Sequence, residues 1–192
     1  MPKAQTQMAH SSYWKKQRMQ IPNRIGIAER PTEINKRQTF GHWEGGLMVF
    51  GRGNKSNLIT LRERKSRYMI AVVNPSKQSK ITASNIIKAL RPKQEFVNSI
   101  TFDNGLEFSK HEIIAKRLKA KTYFCEPYKS YQKGSVENGN GLLRIDLPRN
   151  INSESISSSR ISHVVKRINH RPMKCLDYQT PAEVFKNFMK NT

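Results

Sequence analysis

From about Phe40 the chain alternates short apolar runs with longer stretches in which apolar residues recur every three or four positions. Residues 47–50, 56–61 and 68–73 are runs of strand length. They are parted by Gly51-Arg52-Gly53-Asn54 and by a charged segment over 62–67. That punctuation predicts a meander of three antiparallel strands. Ala83, Ile86, Ile87 and Leu90 then fall at i, i+3, i+4 and i+7, and Pro92 follows, which predicts a helix closed by the proline. Residues 97–102 read as a further strand, 110–118 as a helix and 122–124 as a brief strand. Beyond the Ser-rich loop at 153–159 the pattern is helical, with a stripe of Ile161, Val164, Val165 and Ile168. Thr180-Pro181-Ala182-Glu183 is a helix start: threonine caps, proline takes the first position and glutamate reaches back. Val184, Phe185, Phe188 and Met189 would then face inward. The order of elements predicts an α/β fold, a five-stranded mixed sheet flanked by helices.

Residues 1–38 lack such periodicity. They carry eight Lys/Arg against two acids, their apolar residues are scattered, and Pro22 and Pro31 interrupt any helix. They read as a basic N-terminal arm, flexible and able to track phosphates, preceding a core over 39–192. The whole chain of 192 residues has 35 Lys+Arg against 14 Asp+Glu, a formal charge of +21. An excess of that size attracts polyanions, and DNA is the expected partner. An anionic membrane is the weaker reading, because no compact basic amphipathic helix stands out. No apolar run approaches the roughly 18 residues of a membrane span. The first twenty residues have no apolar signal region, and the two cysteines have no framework spacing. A cytoplasmic protein associated with the nucleoid is expected.

Two acids stand in settings suited to chemistry. Asp103 directly follows an apolar strand, in Thr101-Phe102-Asp103-Asn104-Gly105, where α/β sheets place sites; Asp-Asn-Gly is equally a tight-turn sequence. Glu137 lies in a glycine-rich segment, Gly134 to Gly141, with residues 104–136, 33 in all, between it and Asp103. It reads either as a surface glutamate or as part of a helix brought close beneath a site by its glycines. His42, His111, His163 and His170 lack metal-ligand spacing, and Cys125 and Cys175 read as small packing residues.

Taken in order, Trp43-Glu44-Gly45, the Thr-Phe-Asp-Asn-Gly-Leu-Glu-Phe run from Thr101, and Pro127-Tyr128 form one motif series. Gly134-Ser-x-Glu-Asn-x-Asn-Gly-Leu-Leu-Arg144, then Asn169-x-Arg171-Pro172 leading into Thr180-Pro181-Ala-Glu, complete it. The series resembles the catalytic core of bacterial insertion-sequence transposases of the thirty type, relatives of retroviral integrases, over about residues 22–190. The resemblance implies an RNase H-like fold and a triad of two aspartates and a glutamate holding two Mg²⁺ (or Mn²⁺) ions. Paired metals would activate the attacking oxygen and stabilise the leaving one in phosphodiester cleavage and strand transfer. Asp103 and Glu137 match the second and third acids. The first departs from the pattern: after Trp-Glu-Gly the chain has Gly46. On a strand Glu44 would share a face with position 46, about 6–7 Å away, and is the one acid placed to substitute. Lys129, Lys133, Arg144, Arg149 and Arg171 are the candidates for DNA phosphate contact. The resemblance further implies transposon ends and target DNA as partners, with self-association. Residues 1–38 offer no helix-turn-helix, so an N-terminally truncated core is expected. The function that follows is DNA transposition or integration, impaired at Gly46; the alternative is an inactive DNA-binding remnant that modulates an intact transposase.

Overall fold

A computed structural model describes residues 21–127 and 129–191. Its spine is a six-stranded mixed sheet in the order β1-β6-β5-β2-β3-β4. The strands are β1 (Ile25–Gly26), β2 (His42–Val49), β3 (Asn57–Glu63), β4 (Met69–Asn74), β5 (Ser99–Phe102) and β6 (Lys121–Phe124). The helices are α1 (Thr32–Asn35), α2 (Ser79–Leu90), α3 (His111–Leu118), α4 (Gly134–Asp146), α5 (Ser158–Asn169) and α6 (Pro181–Lys190). β2, β3 and β4 form the expected antiparallel meander, and β5 and β6 extend it in parallel. These are the five expected strands; the sixth, β1, adds two residues in parallel along β6.

β2 begins five residues earlier than its apolar run, because Gly45 and Gly46 hide its front half from a hydrophobicity pattern. Side chains alternate across it with period two. Trp43 and Leu47 face one core, which joins Ile59, Leu61 and Phe102 to α2, α3 and Phe185 of α6. Met48 faces the other, with Leu58, Met69, Leu143 of α4 and Ile161, Val164 and Ile168 of α5. Gly45 is required on the first side: a Cβ there would lie 2.5 Å from the Phe102 ring. Trp43 is fully buried, donating its indole N–H to the Phe96 carbonyl at 3.0 Å, so it packs beneath the sheet. The capping box of α6 forms as expected between Thr180 and Glu183. It aims Phe185 into the core, stacked on Tyr68 at 4.6 Å and edge-on to Trp43 at 5.7 Å.

Part of the expected arm, within residues 21–38, packs against this sheet. Ile21, Ile27 and Ile34 are buried, and Arg30, only 6% exposed, donates to Thr101 Oγ1 at 2.9 Å. Their spacing of six and seven residues matches neither helix nor strand because they sit on a turn, a 3₁₀ turn over Ile27–Glu29 and a single turn of helix. The remainder of the expected arm, residues 1–20, lies outside the described residues.

His42, at the start of β2, shares a hydrogen bond with Ser99 Oγ at 2.8 Å. Burial, reinforced by Arg64 and Arg30, pushes its imidazole down from 6.5 to about 4. The unfolded chain binds that proton more readily, so the neutral ring's contribution is complete above pH 6.5 and is lost as pH falls toward about 4. In urea unfolding across that window, wild type should lose more stability than His42→Gln; parallel curves would contradict this.

Candidate functional site

The site lies where the end of β5 and the middle of β2 meet the N-terminal turn of α4. Three registered pairs bring β2 and β5 together, ending at Glu44 opposite Thr101, so Gly46 on β2 and Asp103 just past β5 emerge at neighbouring strands. α4 crosses the sheet closely. At Gly139 a Cβ would stand 3.2 Å from the Arg62 side chain and 3.3 Å from Met69, so the helix glycine secures the approach.

Asp103 holds the turn that its sequence allowed, just past the end of β5. Oδ1 accepts the Gly105 N–H at 3.0 Å, and Oδ2 accepts from Lys133 Nζ at 2.7 Å. Lys133 precedes the first turn of α4 and its side chain is only 3% exposed. The same ammonium donates to the Gly45 carbonyl at 3.0 Å. A Cβ built at Gly46 would meet that Nζ at 3.2 Å, ahead of Thr60 Oγ1 and Val136 Cγ1 at 3.8 Å each. The place of the missing carboxylate therefore faces a cation belonging to the chain itself. Lys133, one of the candidates for phosphate contact, pairs with Asp103.

Glu44 does share the face of Gly46, but both its oxygens are committed. Oε1 pairs with Arg64, and Oε2 accepts the Val136 N–H at 2.9 Å. The carboxylate is fully buried, and Arg64 is further fixed by the Ile34 carbonyl at 3.2 Å. Desolvating a carboxylate is costly unless it is paired and hydrogen-bonded, and this one is both. Its arrangement ties β2, the β3–β4 turn, α1 and α4 together and gives each oxygen a partner within the protein.

Glu137 is exposed on α4. With Asn140 and Arg144 it follows the i, i+3, i+7 spacing of one helix face, and Arg144 at the end of that face hydrogen-bonds the Val49 carbonyl of β2. Asn140 Oδ1 is buried without a hydrogen-bond partner. Of the other basic candidates, Arg149 and Arg171 are exposed. Lys129 pairs with Glu126 at 2.5 Å, and Arg144 lies over the Phe50 ring at 5.5 Å. Sequence reasoning missed the part played by Lys133. The only signal was a basic residue immediately before the glycine-rich helix, which by itself is indistinguishable from a solvated lysine.

The donor set does not fit a pair of Mg²⁺ ions. Among the described residues no group of three or more His, Cys, Asp or Glu could hold a metal. Mg²⁺ demands hard oxygen ligands in near-octahedral geometry. Here Asp103 is paired to lysine, Glu44 to arginine and the place of the first acid is held by Gly46, which leaves the exposed Glu137 as the remaining acid.

No family model matches the chain. It is 36% identical over 170 residues to the transposase for insertion sequence element IS4351 of Bacteroides fragilis, covering 88% of this chain and 52% of that protein. It is 36% identical over 165 residues to transposase InsI for IS30A of Escherichia coli, covering 85% and 43% respectively. The transposase for IS1086 of Cupriavidus metallidurans is 33% identical over 179 residues, 91% of this chain and 51% of that protein. The chain is a relative of the insertion-sequence transposases of the thirty type. It spans about half the length of the curated relatives it matches. The fold has solved counterparts. The catalytic core domain of BIV integrase superposes with a TM-score of 0.61 at 21% identity, covering 80% of this chain and 98% of that one. A chain of the simian T-cell lymphotropic virus intasome superposes with a TM-score of 0.60 at 20% identity, covering 74% and 52%. This transposase relative has the mixed sheet and flanking helices of an integrase catalytic core. No helix among the described residues is long and apolar enough to cross a membrane.

Proposed function

We propose that this transposase relative binds DNA as an integrase-fold core of the transposition machinery and does not itself cut or join strands. The observation that carries the reading is the Lys133 ammonium, 2.7 Å from Asp103 Oδ2 and 3.2 Å from a Cβ at Gly46. A fixed cation serves as the counter-charge of Asp103, so binding there needs no metal. The named activities of its relatives support DNA as the partner, and so does a formal charge of +21. A core that occupies DNA without turning it over would compete with an intact transposase for the same strands.

The test is equilibrium binding to unrelated duplexes across salt. Neutralising six to ten phosphates costs roughly 10³- to 10⁵-fold in affinity between about 50 and 200 mM salt, and a loss in that range is expected on every sequence. Affinity that stays flat with salt would overturn the reading.

A further inference from the structure

Where the first turn of α4 meets the β3–β4 turn and the segment following α1, a second cavity of about 360 Å³ opens. Arg37, Arg62 and Arg67 line it with Ser135, Asn138 and Cys175, and no carboxylate lies in its wall. Arg62 is 1% exposed, and its hydrogen bonds run to neutral acceptors: the Ser135 carbonyl at 2.8 Å, Asn138 Oδ1 at 2.9 Å, the Arg67 carbonyl at 3.1 Å and Met173 Sδ at 4.0 Å. Glu44, opposite Arg62 in the β2–β3 register, is already paired with Arg64. No ion pair among the described residues engages Arg37, Arg62 or Arg67.

Three arginines therefore line one polar cavity, and none of them has an ion-pair partner among the described residues. Burial, and after it the charge of Arg67, lowers Arg62 to about 10 and also depresses Arg37. Mutual repulsion of this kind is relieved by an oxyanion, and the planar guanidinium fork is the side chain that best matches tetrahedral phosphate. We propose that the Arg37–Arg62–Arg67 pocket is a phosphate-binding site. Its ligand in the DNA-bound protein is one phosphodiester of a strand passing the N-terminus of α4. Phosphate recognition rests on the pocket alone; the strand assignment rests on the DNA-binding function proposed above.

Cys175 supplies the readout. It is exposed in the wall of the pocket, whereas Cys125 is buried and its thiol is pushed up to about 11. Alkylation of the full chain would be followed at Cys175 by peptide mass spectrometry, for wild type and for Arg37→Gln/Arg67→Gln. Each is measured alone, with inorganic phosphate and with a short duplex, at matched ionic strength. DNA at about four times its Kd leaves roughly a fifth of the pockets open, so labelling of wild type should slow about five-fold. The double variant should lose this protection, and its salt slope should fall by about one, the share of a single phosphate contact. Protection by the duplex and not by inorganic phosphate assigns the pocket to a strand; protection by both assigns it to the phosphate group in general. Unchanged protection and slope in the variant would overturn the pocket while leaving DNA binding intact. If duplex binding is absent, the DNA reading fails, and Arg-dependent protection by inorganic phosphate decides the pocket separately.

Discussion

Glu44→Ala should destabilise the protein by about 3–5 kcal/mol, the usual cost of removing one partner from a buried ion pair. The substitution strands the Arg64 guanidinium, 4% exposed, and removes the acceptor of the Val136 N–H at 2.9 Å. It also loosens α1, because Arg64 carries its carbonyl bonds at Ile34 and Asn35 only while Glu44 holds it in place. Urea unfolding followed by circular dichroism measures the loss directly. A change below about 1 kcal/mol would mean that Glu44 is not the keystone of this junction, since isolated surface pairs contribute no more than that. The same experiment separates two roles: a substitute metal ligand would tolerate alanine in the absence of metal, whereas a structural anion does not.

The second large effect concerns Gly46 and Lys133 together. Gly46→Asp fits the strand, because the nearest atom to its Cβ is the far end of the Lys133 side chain at 3.2 Å, which need give by only a few tenths of an ångström. The new carboxylate meets that ammonium before it meets any solvent cation, so Gly46→Asp alone should bind Mn²⁺ little better than wild type. Adding Lys133→Gln removes the competing charge and leaves the introduced carboxylate and Asp103 facing one another. A charge pair about 4 Å apart at an effective dielectric of 20 is worth roughly 4 kcal/mol, reduced here because Asp103 is a third exposed. Mn²⁺ affinity should rise roughly ten- to hundred-fold in the double variant, by calorimetry or by water-proton relaxation, each tenfold being about 1.4 kcal/mol. A full gain from Gly46→Asp alone would show that Lys133 yields freely and is not the occupant that matters.

The sheet, its meander and the flanking helices were legible because their stripes are regular: Ala83, Ile86 and Leu90 on α2, and Ile161, Val164 and Ile168 on α5, all turn inward as spaced. The glycine-rich segment was legible as a helix brought close to a neighbour, and Gly139 over Arg62 is where that closeness is needed. Residues 21–38 were not, since isolated buried isoleucines on turns leave no period to read. Nor was the state of the site. Sequence spacing brings Asp103, Gly46 and Glu44 together, but only packing reveals that Arg64 claims Glu44 and Lys133 claims Asp103. Ion pairs between residues 20 and 30 positions apart carry no local signature.

The most direct test runs binding and cutting in one mixture: supercoiled plasmid with Mg²⁺ or Mn²⁺, enough protein to shift all the DNA, and Asp103→Asn as the control. A complete shift is expected, with no nicked circles above the protein-free background. Nicking by the wild-type chain that disappears in Asp103→Asn would contradict it, because Asp103 would then be working chemistry from beneath the Lys133 ammonium.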